Sequence, residues 1–110
     1  MTMMAGTSLR EYANAASQAA DRISMSVLVP FYGDNPGGLV RALEGQAAGD
    51  VEIVLYDDGE PDRELNAALS LLLASLETPA RLLTSTRNRG RSEGRNLLAA
   101  QARGDWLVFL

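Results

Sequence analysis

Two adjacent carboxylates, Asp57 and Asp58, stand with Gly59 directly after the apolar run 51–56. In open α/β sheets the ligand crevice lies outside the carboxyl ends of the strands, so polar residues at a strand end are presented to ligand. A carboxylate there accepts hydrogen bonds from a base N–H or a ribose hydroxyl. The pair therefore indicates a nucleotide site. The same three residues also fit a plain turn, because Asp and Gly favour turn positions for backbone reasons.

The basic residues indicate a second chemistry, the binding of anions. All ten are arginines, and five of them crowd one stretch: Arg81, Arg87, Arg89, Arg91 and Arg95. The net charge of −4 argues against a general nucleic-acid binder, whose footprint is basic. A local site for a phosphate group remains, because guanidinium matches phosphate geometry. Arg95 lies near the helix start predicted at Ser92, where a guanidinium suits a diphosphate, although a surface pair with Glu93 also fits it.

The residue types that are absent limit the chemistry further. The chain has no cysteine and no histidine. Disulfides, thiolate nucleophiles and His-dependent triads are thereby excluded, and a cytoplasmic location is expected. The sequence shows no targeting or membrane-spanning pattern.

The elements that must position these residues alternate along 24–110. Short apolar runs at 25–29, 51–56, 80–84 and 106–110 predict strands, and helical spacing between them predicts three helices. The order β-α-β-α-β-α-β is typical of a Rossmann-like, layered α/β/α domain with a mostly parallel sheet. Asn35 and Pro36 predict the start of the first of these helices, and Pro61 and Asp62 that of the second.

Residues 1–23 precede this pattern. Ser8 and Glu11 have the spacing of a capping box, and helical spacing behind them is kept by Leu9, Ala13, Ala16, Ala20 and Ile23. We therefore predict a leading amphipathic helix, or a loose segment, over 1–23, and a separate domain over 24–110.

Four motifs resemble one enzyme family when they are taken in order. They are the segments 26–32 (SVLVPFY), 54–59 (VLYDDG), 88–96 (NRGRSEGRN) and 102–110 (ARGDWLVFL). Together they resemble the N-terminal half of a family 2 glycosyltransferase of the GT-A fold. The resemblance covers 24–110, and residues 1–23 lie outside it.

The resemblance implies that this half binds the nucleotide of a nucleotide-diphosphate sugar, with UDP favoured. Pro30 to Tyr32 would pack on the base and ribose, Asp58 would accept a hydrogen bond from the base with Asp57 beside it, and Arg95 would face the phosphates. Tyr32 also fits a partly buried aromatic with its hydroxyl in water. Asn96, next to Arg95, is interpreted as structural.

The same resemblance sets an expectation about catalysis. In the family, the strand at 106–110 runs into an Asp-x-Asp motif that binds a divalent cation, Mg or Mn, and an acceptor half supplies the catalytic base. Neither the Asp-x-Asp motif nor the acceptor half is present in this sequence. We therefore assign no catalytic or metal-binding residue and no cofactor within the chain. We expect a truncated domain that binds nucleotide without turnover.

Three other classes of protein compete with this interpretation. A dinucleotide-binding dehydrogenase requires a Gly-x-Gly-x-x-Gly turn, which 30–35 does not supply. A phosphate-accepting receiver domain has a lysine near its end, and this chain contains no lysine. A non-catalytic interaction module, dimerising through an exposed edge strand, stays as the alternative.

Overall fold

The computed structural model describes residues 2–4, 9–46, 49–59 and 62–110. The strands are β1 (Thr2–Met4), β2 (Leu9–Ala13), β3 (Met25–Phe31), β4 (Val51–Asp57), β5 (Ala80–Ser85) and β6 (Trp106–Phe109). The helices are α1 (Ala15–Ala19), α2 (Gly37–Glu44), α3 (Arg63–Ala74) and α4 (Arg91–Gln101). The predicted β-α-β-α-β-α-β order over 24–110 is confirmed as β3-α2-β4-α3-β5-α4-β6.

All the strands of the described residues belong to one sheet, in the order β1-β2-β5-β4-β3-β6. Strands β5, β4, β3 and β6 run parallel, whereas β2 is antiparallel to β5 and β1 is antiparallel to β2. The chain therefore has the mostly parallel α/β architecture that its sequence predicts. Because the inner strands are parallel, their carboxyl ends meet at one edge of the sheet.

The helices cover both faces of the sheet. On one face, α2 and α3 bury Val40, Leu69 and Leu73 against inward side chains of β3, β4 and β5. On the other face, α4 packs Leu98 against Leu28 and Val54. Because helices cover both faces of the sheet, the side chains of β3 and β4 are apolar on both faces.

Local signals account for the helix starts. The Asp62 side chain accepts a hydrogen bond (3.0 Å) from the N–H of Leu65 and caps α3. The Asn35 side chain accepts one (2.9 Å) from the N–H of Gly37, the first residue of α2, and Pro36 takes the N-cap position instead of the predicted first helical one. Pro61, part of the predicted α3 start, lies outside the described residues.

The predicted leading helix over 1–23 is wrong for most of its length. Leu9–Ala13 is the strand β2, and helix is limited to the five residues Ala15–Ala19. The alanine-rich stripe would bury little apolar area as a helix, whereas the open edge of β5 offers a ladder of backbone hydrogen bonds. Leu9 is then 1% exposed in the core beneath α4. Ser8 of the predicted capping box lies outside the described residues.

Asn14 joins this N-terminal segment to the rest of the sheet. Its Nδ2 donates to the carbonyls of Leu73 (2.8 Å) and Thr78 (2.9 Å). Its Oδ1 accepts from the N–H groups of Ser17 (2.8 Å) and Ala80 (3.0 Å). The Asn14 side chain is 1% exposed and thereby uses both of its N–H donors and both acceptor positions of its oxygen. Residues 9–19 are therefore part of the folded unit.

Strand β6 forms one edge of the sheet and pairs only with β3 among the described strands. Trp106 is 72% exposed, Leu107 and Val108 are also exposed, and Phe109 is half-buried. The outer side of this edge strand is therefore poorly covered by the described residues. In the described part of the chain, no helix has the length and hydrophobicity needed to cross a membrane.

Candidate functional site

A cleft of about 630 Å³ lies at the carboxyl ends of β3, β4 and β6. Its lining includes residues from three strand ends, the loop before α4 and the first turns of α4. The lining residues are Pro30, Phe31, Tyr32, Tyr56, Asp58, Asn88, Gly90, Arg91, Gly94, Arg95, Phe109 and Leu110. Its volume falls within the range of about 300–1,000 Å³ that is typical of small-molecule sites.

The end of β3 forms one wall of the cleft. Pro30 is half-buried, Phe31 is 6% exposed, and Tyr32 just beyond the strand is 56% exposed. Phe31 contributes to the core beneath α2 and α3, so its side chain is engaged on the far side of the sheet. Tyr32 is therefore the aromatic ring on this wall that has a free face for stacking.

The Asp58 carboxylate lies on the floor of the cleft and is 8% exposed. Its Oδ1 accepts from the Tyr56 hydroxyl (2.9 Å) and from the N–H of Arg89 (2.7 Å). Its Oδ2 accepts from the N–H of Gly90 (3.1 Å). Both oxygens are thus bound by the protein itself.

Tyr56 supports Asp58 from below. It is fully buried, and its ring packs against Gly94 in α4. Burial, together with the hydrogen bond to Asp58 and that residue's charge, outweighs the opposing effects of Ser85 and Arg89 and raises the pKa of Tyr56 to about 12. Tyr56 therefore acts as a neutral hydroxyl donor at physiological pH.

The anion-binding side of the cleft is built on α4. Arg91 is the first residue of the helix and Arg95 lies one turn later, and both line the cleft. Gly90, at the N-cap position, has no side chain that could cap the first turn. Because the N-terminus of a helix carries partial positive charge, this edge favours anions. The Arg95 guanidinium is held over the Phe109 ring, 4.0 Å from its centroid.

The structure brings together Pro30, Tyr32, Asp58 and Arg95 of the predicted site residues. Asp57 is not among the lining residues, because successive strand residues point to opposite faces, and it is fully buried. Asn96 is exposed outside the lining.

Sequence reasoning missed Tyr56 and Phe109 as cleft residues. Both lie in apolar runs, and the pattern of such a run predicts only a strand. Their place beside the cleft depends on the pairing of β3 with β4 and with β6. The signal for Tyr56 is its place two residues before Asp58, because residues i and i+2 of a strand share a face.

A second polar cluster lies at the opposite, amino end of the sheet. The Glu52 carboxylate, 0% exposed, accepts from Ser26 Oγ (2.6 Å) and from the N–H of Arg103 (2.8 Å). It also pairs with the guanidinium groups of Arg81 and Arg103, each at 3.2 Å. Burial opposes ionisation, but these hydrogen bonds and charges prevail and lower the pKa of Glu52. This cluster ties β3, β4, β5 and the end of α4 together, away from the cleft.

Within the described ranges, no group of three or more His, Cys, Asp or Glu side chains is placed to hold a metal ion. No ligand of the divalent cation that the family resemblance implies is therefore assigned among these residues.

Comparison with known proteins gives the family. The family model described as glycosyl transferase family 2 matches residues 26–110, which include the whole cleft. The chain belongs to glycosyl transferase family 2.

Two curated relatives agree with this assignment. An uncharacterized glycosyltransferase of Haemophilus influenzae is 28% identical over 88 residues, covering 78% of this chain and 28% of the relative. A protein of Mycobacterium tuberculosis, described provisionally as a glycosyltransferase, is 35% identical over 91 residues, covering 78% of this chain and 26% of the relative. The chain thus spans about a quarter of the length of these relatives, and the matches support a general glycosyltransferase role.

Proposed function

We propose that the cleft binds the nucleotide diphosphate of a sugar donor, and that the chain is the donor-binding part of a glycosyltransferase. The observation that carries the proposal is the joint lining of one cleft by an exposed aromatic ring, Tyr32, and two guanidinium groups, Arg91 and Arg95. A nucleotide diphosphate has the matching chemistry: a flat base at one end and two phosphates at the other.

The parts of the ligand are assigned by chemistry. The base and ribose pack against Pro30 and Tyr32, because an exposed aromatic ring offers a stacking face. The diphosphate lies toward Arg91, Arg95 and the N-terminus of α4, where charge and N–H groups favour it. UDP is the nucleotide that the family resemblance favours.

The complete reaction extends beyond these assignments. We propose that the full-length enzyme transfers the sugar to an acceptor in glycan or polysaccharide synthesis, with Mg or Mn supplied to the diphosphate. This chain's own residues contribute the binding and orientation of the nucleotide. No catalytic base is assigned within the chain.

Calorimetric titration of the 110-residue chain with UDP, UMP and uridine tests the proposal. We expect UDP to bind more tightly than UMP and uridine, and Arg95→Gln to weaken UDP binding about 10-fold to 100-fold, as is usual for loss of a charge-assisted hydrogen bond. Arg87→Gln is the matched control, since Arg87 is exposed and does not line the cleft. Equal affinities of the two variants would contradict the proposal.

A second candidate function rests on β6. Its outer edge and the exposed Trp106, Leu107 and Val108 offer a strand for pairing with a second copy of the chain. In this proposal the chain is a non-catalytic interaction module that forms a homodimer. Sedimentation across a range of concentrations should then give a dimer, and Val108→Lys should return it to monomer. A monomer at all concentrations would remove this candidate.

A further inference from the structure

A second cavity, of about 360 Å³, lies between α3 and the strands β2 and β5. The described residues that line it are Arg10, Arg63, Asn66 and Thr84, and all four have polar side chains. None of the four lines the cleft at the carboxyl ends of β3, β4 and β6. The volume lies within the range of about 300–1,000 Å³ that is typical of small-molecule sites.

The register of the strands brings these side chains together. Arg10 is the cross-strand partner of Thr84, and directly opposed residues point to the same face of a sheet. Thr84 follows Leu82 by two residues, and Leu82 packs in the core beneath α3. Thr84 therefore faces α3, in which Arg63 and Asn66 are three residues apart and share one side of the helix.

Two of the lining residues have a buried oxygen that is not hydrogen-bonded. Thr84 Oγ1 and Asn66 Oδ1 are buried, and neither has a partner in the part of the chain that the structure describes. Such orphaned atoms are rare in folded proteins, because burying a polar group without a hydrogen bond costs free energy. The Thr84 hydroxyl can donate or accept, whereas Asn66 Oδ1 can only accept.

The two arginines add positive charge at the mouth of the cavity. Both side chains are exposed, and neither forms an ion pair with a carboxylate within the described ranges. Exposed side chains change rotamer within nanoseconds, so these two can admit a ligand to the buried oxygens. Asp57, which is opposite Thr84 on β4, is buried and does not line the cavity.

We infer that this cavity is a second ligand site, for a phosphate group that carries a hydroxyl: hydrogen phosphate or a sugar phosphate. The phosphate oxygens accept from Arg10, Arg63 and the Thr84 hydroxyl, since guanidinium groups match phosphate geometry. The hydroxyl of the ligand donates to Asn66 Oδ1. The inference goes beyond the proposed nucleotide site, because the two cavities share no lining residue.

Amide NMR titration of the 110-residue chain with inorganic phosphate tests the site, with and without UDP. We expect saturable shifts at Arg63, Asn66 and Thr84 that UDP does not remove. Arg63→Gln and Arg10→Gln should each weaken phosphate binding about tenfold. Arg41→Gln is the matched control, since Arg41 is exposed in α2 and lines neither cavity.

The absence of saturable shifts at these three residues would overturn the inference. So would equal phosphate affinities of Arg63→Gln, Arg10→Gln and the wild type. Failure of UDP to bind would defeat the proposed nucleotide function and would leave this test in force, because the phosphate titration is also run without UDP.

Sulfate tests whether the hydroxyl of the ligand is recognised. At about pH 8 phosphate is a dianion like sulfate but keeps one O–H donor, so it should bind about threefold tighter or more. Asn66→Ala should remove this preference. Equal affinities of the wild-type chain for the two anions would mean an adventitious ion only and would overturn the inference.

Glucose 1-phosphate, with glucose as its control, distinguishes the two sources of the phosphate group. Tighter binding of glucose 1-phosphate than of inorganic phosphate would support the site as one for a sugar phosphate. Tighter binding of inorganic phosphate would support it as one for free phosphate. Binding of glucose as tight as that of glucose 1-phosphate would overturn the inference.

Thr84→Val separates ligand binding from a structural role of the hydroxyl. Valine keeps the branched shape and removes an oxygen that has no partner among the described residues. The ligand-free variant should therefore unfold at the same urea concentration as the wild type or a higher one, whereas its phosphate affinity should fall about threefold or more. A loss of stability with unchanged phosphate affinity would overturn the inference.

Discussion

The guanidinium of Arg95 in α4 lies 4.0 Å from the centroid of the Phe109 ring in β6. This contact joins a helix to the edge strand and places the cation beside the cleft, which both residues line. A cation over an aromatic face is attracted by about 0.5–1 kcal/mol at an exposed site and more when desolvated. Arg95 is thereby pre-organised before any anion arrives, which lowers the entropy cost of binding.

Phe109→Leu should weaken UDP binding about twofold to fivefold, because it keeps an apolar side chain but removes the ring face that orders Arg95. Calorimetry measures the affinity. Leu107→Ala is the control, since Leu107 lies two residues earlier on the same strand and outside the cleft lining. Equal affinities for Phe109→Leu and the wild type would mean that the contact does not order Arg95.

Gly94→Ala should destabilise the chain although alanine is the better helix former. A methyl group at this position would lie 2.9 Å from Cε2 of the Tyr56 ring, and that ring is buried and fixed by its bond to Asp58. Overpacking costs about 1–3 kcal/mol, which exceeds the gain of about 1 kcal/mol from helix propensity.

Gly38→Ala in α2 is the matched substitution for this test, because nothing lies within 4 Å of its added methyl group. It should stabilise the chain by about 0.5–1 kcal/mol. Urea unfolding of both variants measures the two free energies. A stabilised Gly94→Ala would show that the Tyr56 ring can move aside.

The sequence predicts the sheet of 24–110 well because its strands are short apolar runs between clear helix signals, and that pattern depends on local residues. It fails at 9–13, where a weak alanine-rich stripe is overruled by the open edge of β5. For the cleft, it identifies Tyr32, Asp58 and Arg95 by type and position. The sequence does not show that the Asp58 carboxylate accepts hydrogen bonds from the loop before α4, because these bonds join residues that are 31 and 32 positions apart in sequence.

Glu52→Gln should cost about 1–3 kcal/mol in the free energy of unfolding at pH 7, because Arg81 loses its fully buried partner and keeps Glu11 (3.4 Å) and the carbonyl of Gln101 (2.6 Å). Folding lowers the pKa of Glu52 below its ordinary value of 4.5, so its contribution is present above that pH and is lost as pH falls through the folded-state pKa. The difference between wild type and variant should therefore shrink under acid conditions.

Urea unfolding between pH 3 and pH 7 follows this dependence. Glu64→Gln, at an exposed position in α3, should change stability by less than about 1 kcal/mol at any pH. A difference between wild type and Glu52→Gln that stays constant with pH would contradict the role given to the ionised carboxylate.

Asn14→Ala should lower the free energy of unfolding by about 2–4 kcal/mol, since four buried backbone groups each lose one hydrogen bond. Amides of β2 should exchange faster than those of β4. Asn96→Ala, at an exposed position, should stay within about 0.5 kcal/mol of wild type. A wild-type melting curve for Asn14→Ala would indicate that the N-terminal segment is not held by this side chain.

The central claim, that the cleft binds a nucleotide diphosphate, is tested most directly by amide NMR spectra of the ¹⁵N-labelled 110-residue chain. UDP is added in steps, with GDP and ADP in parallel. We predict shifts that cluster at Tyr32, Asp58 and Arg95 and that reach saturation at lower concentrations of UDP than of GDP or ADP. A dispersed spectrum that none of the three nucleotides moves would contradict the claim and favour the dimerisation module.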